Sequence, residues 1–270
     1  MECILTNDVE TTSIWKNKLS DSTGLKVQNE GLPLLLDIYE QYNIKSTFYF
    51  TGYYAKLFPS SVKLVHSRGH EIASHGYSHA NDDSFDVIDF KTQKRNLEKS
   101  KYILEDIIGD EIISFRAPAL RISHNTHRAL HETGFKTDSS VVSQRFDFFF
   151  SYGSKNKLNW LFAPRKPYFS DINNPFKIST GPIFEIPLTS TLLPFISTTM
   201  RIFPRLTRIQ TRILILEAIN FIKPIVFDIH PNEFIDESSK DLRKINRRSS
   251  NYLGYLVKDY FRSKLKVKNI

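Results

Sequence analysis

One cysteine, Cys3, stands in 270 residues, so no disulfide can form within the chain, which suits a reducing compartment. Glycine is also scarce, at ten residues. No unit repeats at a period of roughly 20 to 50 residues, so a repetitive or low-complexity architecture is excluded. Nowhere does an apolar run reach the about 18 residues that cross a bilayer; charge or proline interrupts the longest ones. The opening MECILTNDVE lacks a basic segment followed by an apolar one, so no secretory leader is read there. The expectation is a cytoplasmic protein, at most peripheral to the inner face of a membrane.

What is present is aromatic and basic. Twenty-one Phe and 12 Tyr suit a packed interior and a sugar-contacting cleft. The formal net charge is +8, which favours polyanions or an anionic membrane surface and carries no information about fold. Much of the excess lies late. Arg201, Arg205, Arg208 and Arg212 recur near the helical period. A solvated helix face is the ordinary reading of such a stripe, and contact with a membrane surface the sharper one. The tail KINRRSSNYLGYLVKDYFRSKLKVKNI is basic and partly amphipathic. No nucleic-acid partner is expected, and the oligomeric state stays open.

Strand-like and helix-like segments alternate. ECILTNDV, KSTFYFTG, HEIASHG, EIISFRAP, FKTDSSVV, PIFEIPLTST and PIVFDIH read as strands. Helical segments separate most of them, and the longest, DFKTQKRNLEKSKYILEDIIG, is closed by Gly109. A last helix is expected over 249–265. This rhythm predicts βαβ units and a parallel sheet. The expected fold is a distorted (β/α) barrel of about seven parallel strands, one domain over 1–270. Between 143 and 180 the rhythm fails, and an irregular insertion over one barrel face is expected.

In such a barrel, functional residues sit at the carboxyl ends of the strands. The first strand ends in Asp8-Val9-Glu10, the third runs into His75 and His79, the fourth into Arg116-Ala117-Pro118, the fifth into Asp138, and the last into His230-Pro231. Two imidazoles and a carboxylate can hold a divalent cation with positions left for water and substrate. A second carboxylate could take a proton from that water, and a further histidine could protonate a leaving group.

These motifs, in this order, resemble those of the polysaccharide deacetylases with a NodB homology domain. LTNDVE corresponds to the family's paired-acid motif, HGYSH to its His-Ser/Thr-x-x-His, RAP to its Arg-x-Pro, TDSS to its fourth motif, and VFDIHP to the strand ending in His-Pro. The resemblance spans about 3–141 and 181–234. It implies a distorted barrel and metal-assisted removal of an acyl group, usually N-acetyl, from a sugar. By residue, it implies that Asp8 is the general base and that Glu10, His75 and His79 hold the metal, with Zn²⁺ expected. Arg116 would orient the base, His230 would serve as general acid, and Asp138 would support the charges around His230. The implied partner is a carbohydrate, lipid- or nucleotide-linked, in cell-surface polysaccharide or lipopolysaccharide biosynthesis.

Two departures stand out. Val9 takes the place of the family's second adjacent acid, with Glu10 following. On a strand Asp8 and Glu10 share a face, so either could be the ligand and the other the base. Gly76 stands where the family often has Ser or Thr. A catalytically silent glycan- or polyanion-binding barrel, and hydrolysis of a non-sugar C–N bond, are the competing readings. His124, His127 and His131 form a rival set, read as exposed positions along one side of a helix.

Overall fold

The computed structural model describes residues 2–13, 18–144, 157–191 and 193–235. The helix expected over 249–265 lies outside the described residues. Among the described residues, nine strands form one sheet: β1 (Cys3–Val9), β2 (Thr47–Phe50), β3 (Glu71–Ser74), β4 (Ser114–Phe115), β5 (Thr137–Asp138), β6 (Tyr168–Asp171), β7 (Asn174–Ile178), β8 (Phe184–Glu185) and β9 (Ile225–Ile229). Their order is β7-β6-β8-β5-β4-β3-β2-β1-β9. From β8 through β9 every neighbour is parallel, which gives the seven parallel strands expected. The sheet curls, and residues just beyond β8 reach its far edge: Thr189 N donates to Val226 O at 3.2 Å, and Val226 N to Thr189 Oγ1 at 2.9 Å.

Helices fill the connections: α1 (Asp21–Lys26), α2 (Leu32–Gln41), α3 (Gly52–Leu57), α4 (Pro59–Ser67), α5 (Phe90–Ile108), α6 (Thr126–Glu132), α7 (Lys157–Phe162), α8 (Ser197–Ile202) and α9 (Pro204–Phe221). α5 shows why such segments are helical. Asp89 caps it by accepting from Thr92 N at 2.7 Å, and Gly109 ends it in the left-handed region at φ +78°. Its buried residues Gln93, Asn96, Leu97, Ser100 and Leu104 recur at three and four, the stripe that docks a helix on a sheet. Between α1 and α2 a π-type turn spans Val27–Gly31. Pro33, in the first turn of α2, has no N–H to donate four residues back, so a wide turn there costs little.

The expected irregular insertion is corrected in part. Residues 168–178 form an antiparallel hairpin that pairs with β8 and extends the sheet edge. Alternation explains this: Tyr168 and Ser170 point inward and are buried, while Phe169 is exposed.

The core lies between the sheet and its helices, and strand parity sorts its residues. Val9, Phe48, Phe50, Leu97, Phe115 and Leu130 are buried there. Val9 pairs with Phe50, Phe50 with Ser74, and Ser74 with Phe115, and residues paired in register share a face. One step out of phase, Asp8, His75 and Arg116 turn toward the barrel interior at its carboxyl rim.

Candidate active site

Alternation along β1 places Thr6 and Asp8 on the interior face and sends Asn7 and Val9 the other way. Asn7 bonds Ser46 and Tyr39, and Val9 joins the core. Glu10, just past the strand, returns to the interior, so the spacing with Val9 between keeps two acids together. Glu10 Oε2 accepts from Thr12 Oγ1 at 2.9 Å and lies 3.3 Å from His79 Nε2. Asp8 Oδ2 lies 3.6 Å from His75 Nε2 and 4.0 Å from His230 Nε2.

His75 is locked by its second nitrogen. Nδ1 donates to Arg116 O at 2.8 Å, which leaves the Nε2 lone pair facing the acids. The turn to His79 requires Gly76, whose φ is +68°; a Cβ there would meet Phe85 at 3.1 Å. The departure from Ser/Thr at this position therefore has a conformational cause.

Arg116 has no exposed side-chain surface. Its Nη1 donates to Asp8 Oδ1 at 3.0 Å, Asp228 Oδ1 at 2.7 Å and Thr6 Oγ1 at 2.9 Å. Its Nε and Nη2 donate to Ser139 O and Oγ, and its guanidinium lies 4.4 Å from the Tyr49 ring centre. His230 stands 3.7 Å from Asp228 Oδ2. Its loop is pinned from below: at Gly31 a Cβ would meet Pro231 O at 2.3 Å. His79 and His230 keep about a fifth of their side-chain surface exposed, 20% and 21%, so solvent reaches the cluster from their side.

Asp138 is corrected. It sits at the carboxyl end of β5, but Phe115 is its register partner, so it shares the core-facing side, out of phase with the rim cluster. There Asp138 Oδ2 meets His127 Nε2 at 2.8 Å, and Oδ1 accepts from Ser140 Oγ at 2.5 Å. The carboxylate beside His230 is Asp228, missed in the sequence. It pairs in register with Thr6 and so faces the interior. The available signal was parity: in VFDIHP, Asp228 and His230 are two apart on one strand face.

His127 is a second correction. It is buried, while His124 and His131 are exposed. Its Nδ1 pairs with Ser170 Oγ at 2.5 Å, and its Nε2 also lies 3.4 Å from Glu185 Oε2. The carboxylates that the helix pattern lacked come from β5 and β8.

Among the described residues, three groups of His, Asp and Glu bring ligand atoms within 4.8 Å of one another: Glu10–His75–His79, Asp8–Asp228–His230 and His127–Asp138–Glu185. Electrostatics separates them. In the first, burial lowers both imidazoles, His79 to about 4; they are neutral with lone pairs available, and burial pushes Glu10 upward. This donor set could hold a divalent cation. In the second, Arg116 already serves both acids. Burial favours neutral His230, but Asp228 and then Asp8 outweigh it and hold the imidazole up at about 9. In the third, burial is outweighed by bonds to Asp138 and Glu185, and His127 rises to about 9, so a proton already fills the position. At Asp8, burial works upward, yet His75, Arg116 and His230 hold its pKa below the ordinary value.

The sheet order defines a curled α/β barrel that carries an acid–imidazole grouping at its carboxyl rim. Residues 21–137 match the family profile described as polysaccharide deacetylase. The matched stretch contains His75, His79 and Arg116 and stops one residue short of Asp138. A peptidoglycan deacetylase of Helicobacter pylori is 30% identical over 125 residues, 46% of this chain and 42% of that protein. A peptidoglycan-N-acetylglucosamine deacetylase of Bacillus cereus is 32% identical over 106 residues, 39% of this chain and 38% of its own. The aligned stretches thus span less than half of those relatives. A Mycobacterium smegmatis crystal structure described as a polysaccharide deacetylase superposes with TM-score 0.62 at 19% identity, covering 98% of this chain and 85% of its own. An allantoinase gives 0.58 at 16% identity, covering 97% and 84%. At these identities the superpositions establish the fold.

Proposed function

We propose that the chain is a divalent-metal-dependent hydrolase that removes an N-acetyl group from a carbohydrate. The observation that carries this reading is the convergence of Glu10, His75 and His79 beside an Asp8 whose second oxygen is left free by Arg116. The named activities of the Helicobacter and Bacillus relatives support the substrate class.

Glu10 Oε2 and the Nε2 atoms of His75 and His79 are the atoms that would hold the ion, with Zn²⁺ the best match to this donor set. The ion would polarise the acetyl carbonyl and lower the pKa of bound water. Asp8 Oδ2 accepts the proton of the attacking water, because Oδ1 is committed to Arg116. His230, charged at neutral pH, donates its Nε2 proton to the departing amine. Asp228 keeps that imidazolium charged and aimed. The grouping thus favours Glu10 as ligand and Asp8 as base over the reverse assignment. Nucleotide- or lipid-linked N-acetyl sugars, intermediates of cell-surface polysaccharide or lipopolysaccharide biosynthesis, are the proposed substrates.

The test is acetate release from a panel of N-acetylated sugars, with a cyclic amide included. Release should stop on chelation, return with added Zn²⁺, and fall about a hundredfold or more in Asp8→Asn. Undiminished release after complete metal removal would contradict the proposal.

A further inference from the structure

α9 packs against β9 and is amphipathic in an unusual sense. Its inner face, with Thr207, Gln210, Leu214 and Ala218, is buried, and Leu214 and Ala218 pack with Phe195, Ile225 and Phe227. Its outer face is apolar as well. Ile209, Ile213, Leu216 and Ile219 are 56%, 51%, 61% and 59% exposed, and Ile222, just past the helix, is 89% exposed. At 3.6 residues per turn these four helical positions form one stripe along the solvent side. Arg205, Arg208 and Arg212 are exposed and run beside it. Contiguous apolar surface of this kind on a folded domain marks an interaction site.

We propose that this face of α9 lies on an anionic lipid bilayer. Charge decides between the candidate occupants. A second copy meeting the same face across a twofold axis would bring the three arginines against their own counterparts. Residues 236–270 carry ten Lys or Arg against four Asp or Glu, so that segment is repelled as well. An anionic membrane supplies both complements of this face: hydrocarbon for the isoleucines and leucine, and negative headgroups for the arginines beside them. The basic segment 236–270 adds a second attraction to the same surface. No helix among the described residues is long and apolar enough to cross a membrane, so α9 lies along the interface.

The placement has a consequence for the barrel. Ile196, before α8, bridges Asp228, and Thr198 Oγ1 donates to Glu233 at 2.6 Å. The α8–α9 unit therefore starts at the rim that bears His230, and a bilayer against α9 brings its headgroups alongside that rim. The inference does not depend on which bond the rim hydrolyses.

The experiment is co-sedimentation of the full chain with vesicles of pure phosphatidylcholine and with vesicles of equal parts phosphatidylcholine and phosphatidylglycerol. Pelleting is expected with the anionic vesicles alone and should weaken as salt is raised. Arg208→Glu and Arg212→Glu should each weaken binding at least about fivefold. Ile213→Asn with Leu216→Asn should weaken it further while leaving circular dichroism unchanged. A soluble full chain in the presence of anionic vesicles would overturn the proposal. So would unchanged pelleting of the α9 variants, which would assign binding to the basic segment. Self-association of the chain without lipid, abolished by the same substitutions, would overturn it in favour of a second copy.

Discussion

Arg116 and Asp8 are joined by one hydrogen bond of 3.0 Å, from Nη1 to Oδ1, with no exposed surface on the arginine side chain. The same nitrogen reaches Asp228 at 2.7 Å, so one buried cation compensates two buried acids. Arg116→Met should therefore destabilise the protein by about 3–5 kcal/mol, the cost of leaving buried charge unpaired, and Asp8 should become harder to ionise. Urea unfolding measures the first effect. The second appears as an acidic limb of kcat/KM shifted to higher pH.

Asp228→Asn and Asp138→Asn should behave differently, although both acids end barrel strands. Asp228 contributes most to holding His230 charged. Its loss should lower activity on the order of tenfold to a hundredfold and move the basic limb of the pH profile, which for the wild type falls as pH approaches about 9, downward. Asp138→Asn should leave that limb in place and lower the melting temperature instead. The pH dependence of kcat/KM and thermal melts of the two variants, side by side, check this.

His127 links stability to pH. Its folded pKa is raised from the ordinary histidine value of about 6.5 to about 9. The stability it contributes is therefore fully present below about 6.5 and is lost as pH rises through about 9. The raised carboxyl of Glu185 acts in the same direction. His127→Gln should thus lower stability near pH 6 by roughly 3 kcal/mol and flatten the fall between neutral pH and 9. Denaturant midpoints measured across that range test it; equal slopes in wild type and variant would contradict it.

Gly76→Ser should restore the residue type common at this point of the motif and still weaken the protein. The left-handed φ of +68° and the 3.1 Å approach to Phe85 together should cost about 1–3 kcal/mol. A thermal melt of the purified variant reads the effect.

The sequence alone made the strand ends legible, because alternating strand and helix signals place Asp8, Glu10, His75, Arg116 and His230 on one rim wherever the sheet curls. It left open which side of the sheet each residue faces. Asp138 and Arg116 both end strands of EIISFRAP and FKTDSS type, yet Asp138 pairs with Phe115 and points into the helix layer. Register between two short strands is set by packing across the whole sheet, and a shift of one residue reverses every face. His127 was hidden for a related reason. Its partners Asp138, Ser170 and Glu185 come from three different strands, the last two far along the chain, and no helical spacing reveals them. Asp228 was within reach, since two-residue spacing from His230 fixes a shared face. The hairpin at 168–178 was obscured by the aromatic- and proline-rich stretch around it.

The central claim is that Glu10, His75 and His79 form the chain's cation site, distinct from the arginine-neutralised acids of Asp8 and Asp228 and from the proton-filled cluster at His127. Metal content of the purified protein after Zn²⁺ loading and exhaustive dialysis addresses it most directly. One ion per chain is predicted, retained in His127→Gln and Asp228→Asn and lost in His79→Ala and in Glu10→Ala. Retention of the ion by His79→Ala and Glu10→Ala, or its loss from His127→Gln alone, would contradict the account.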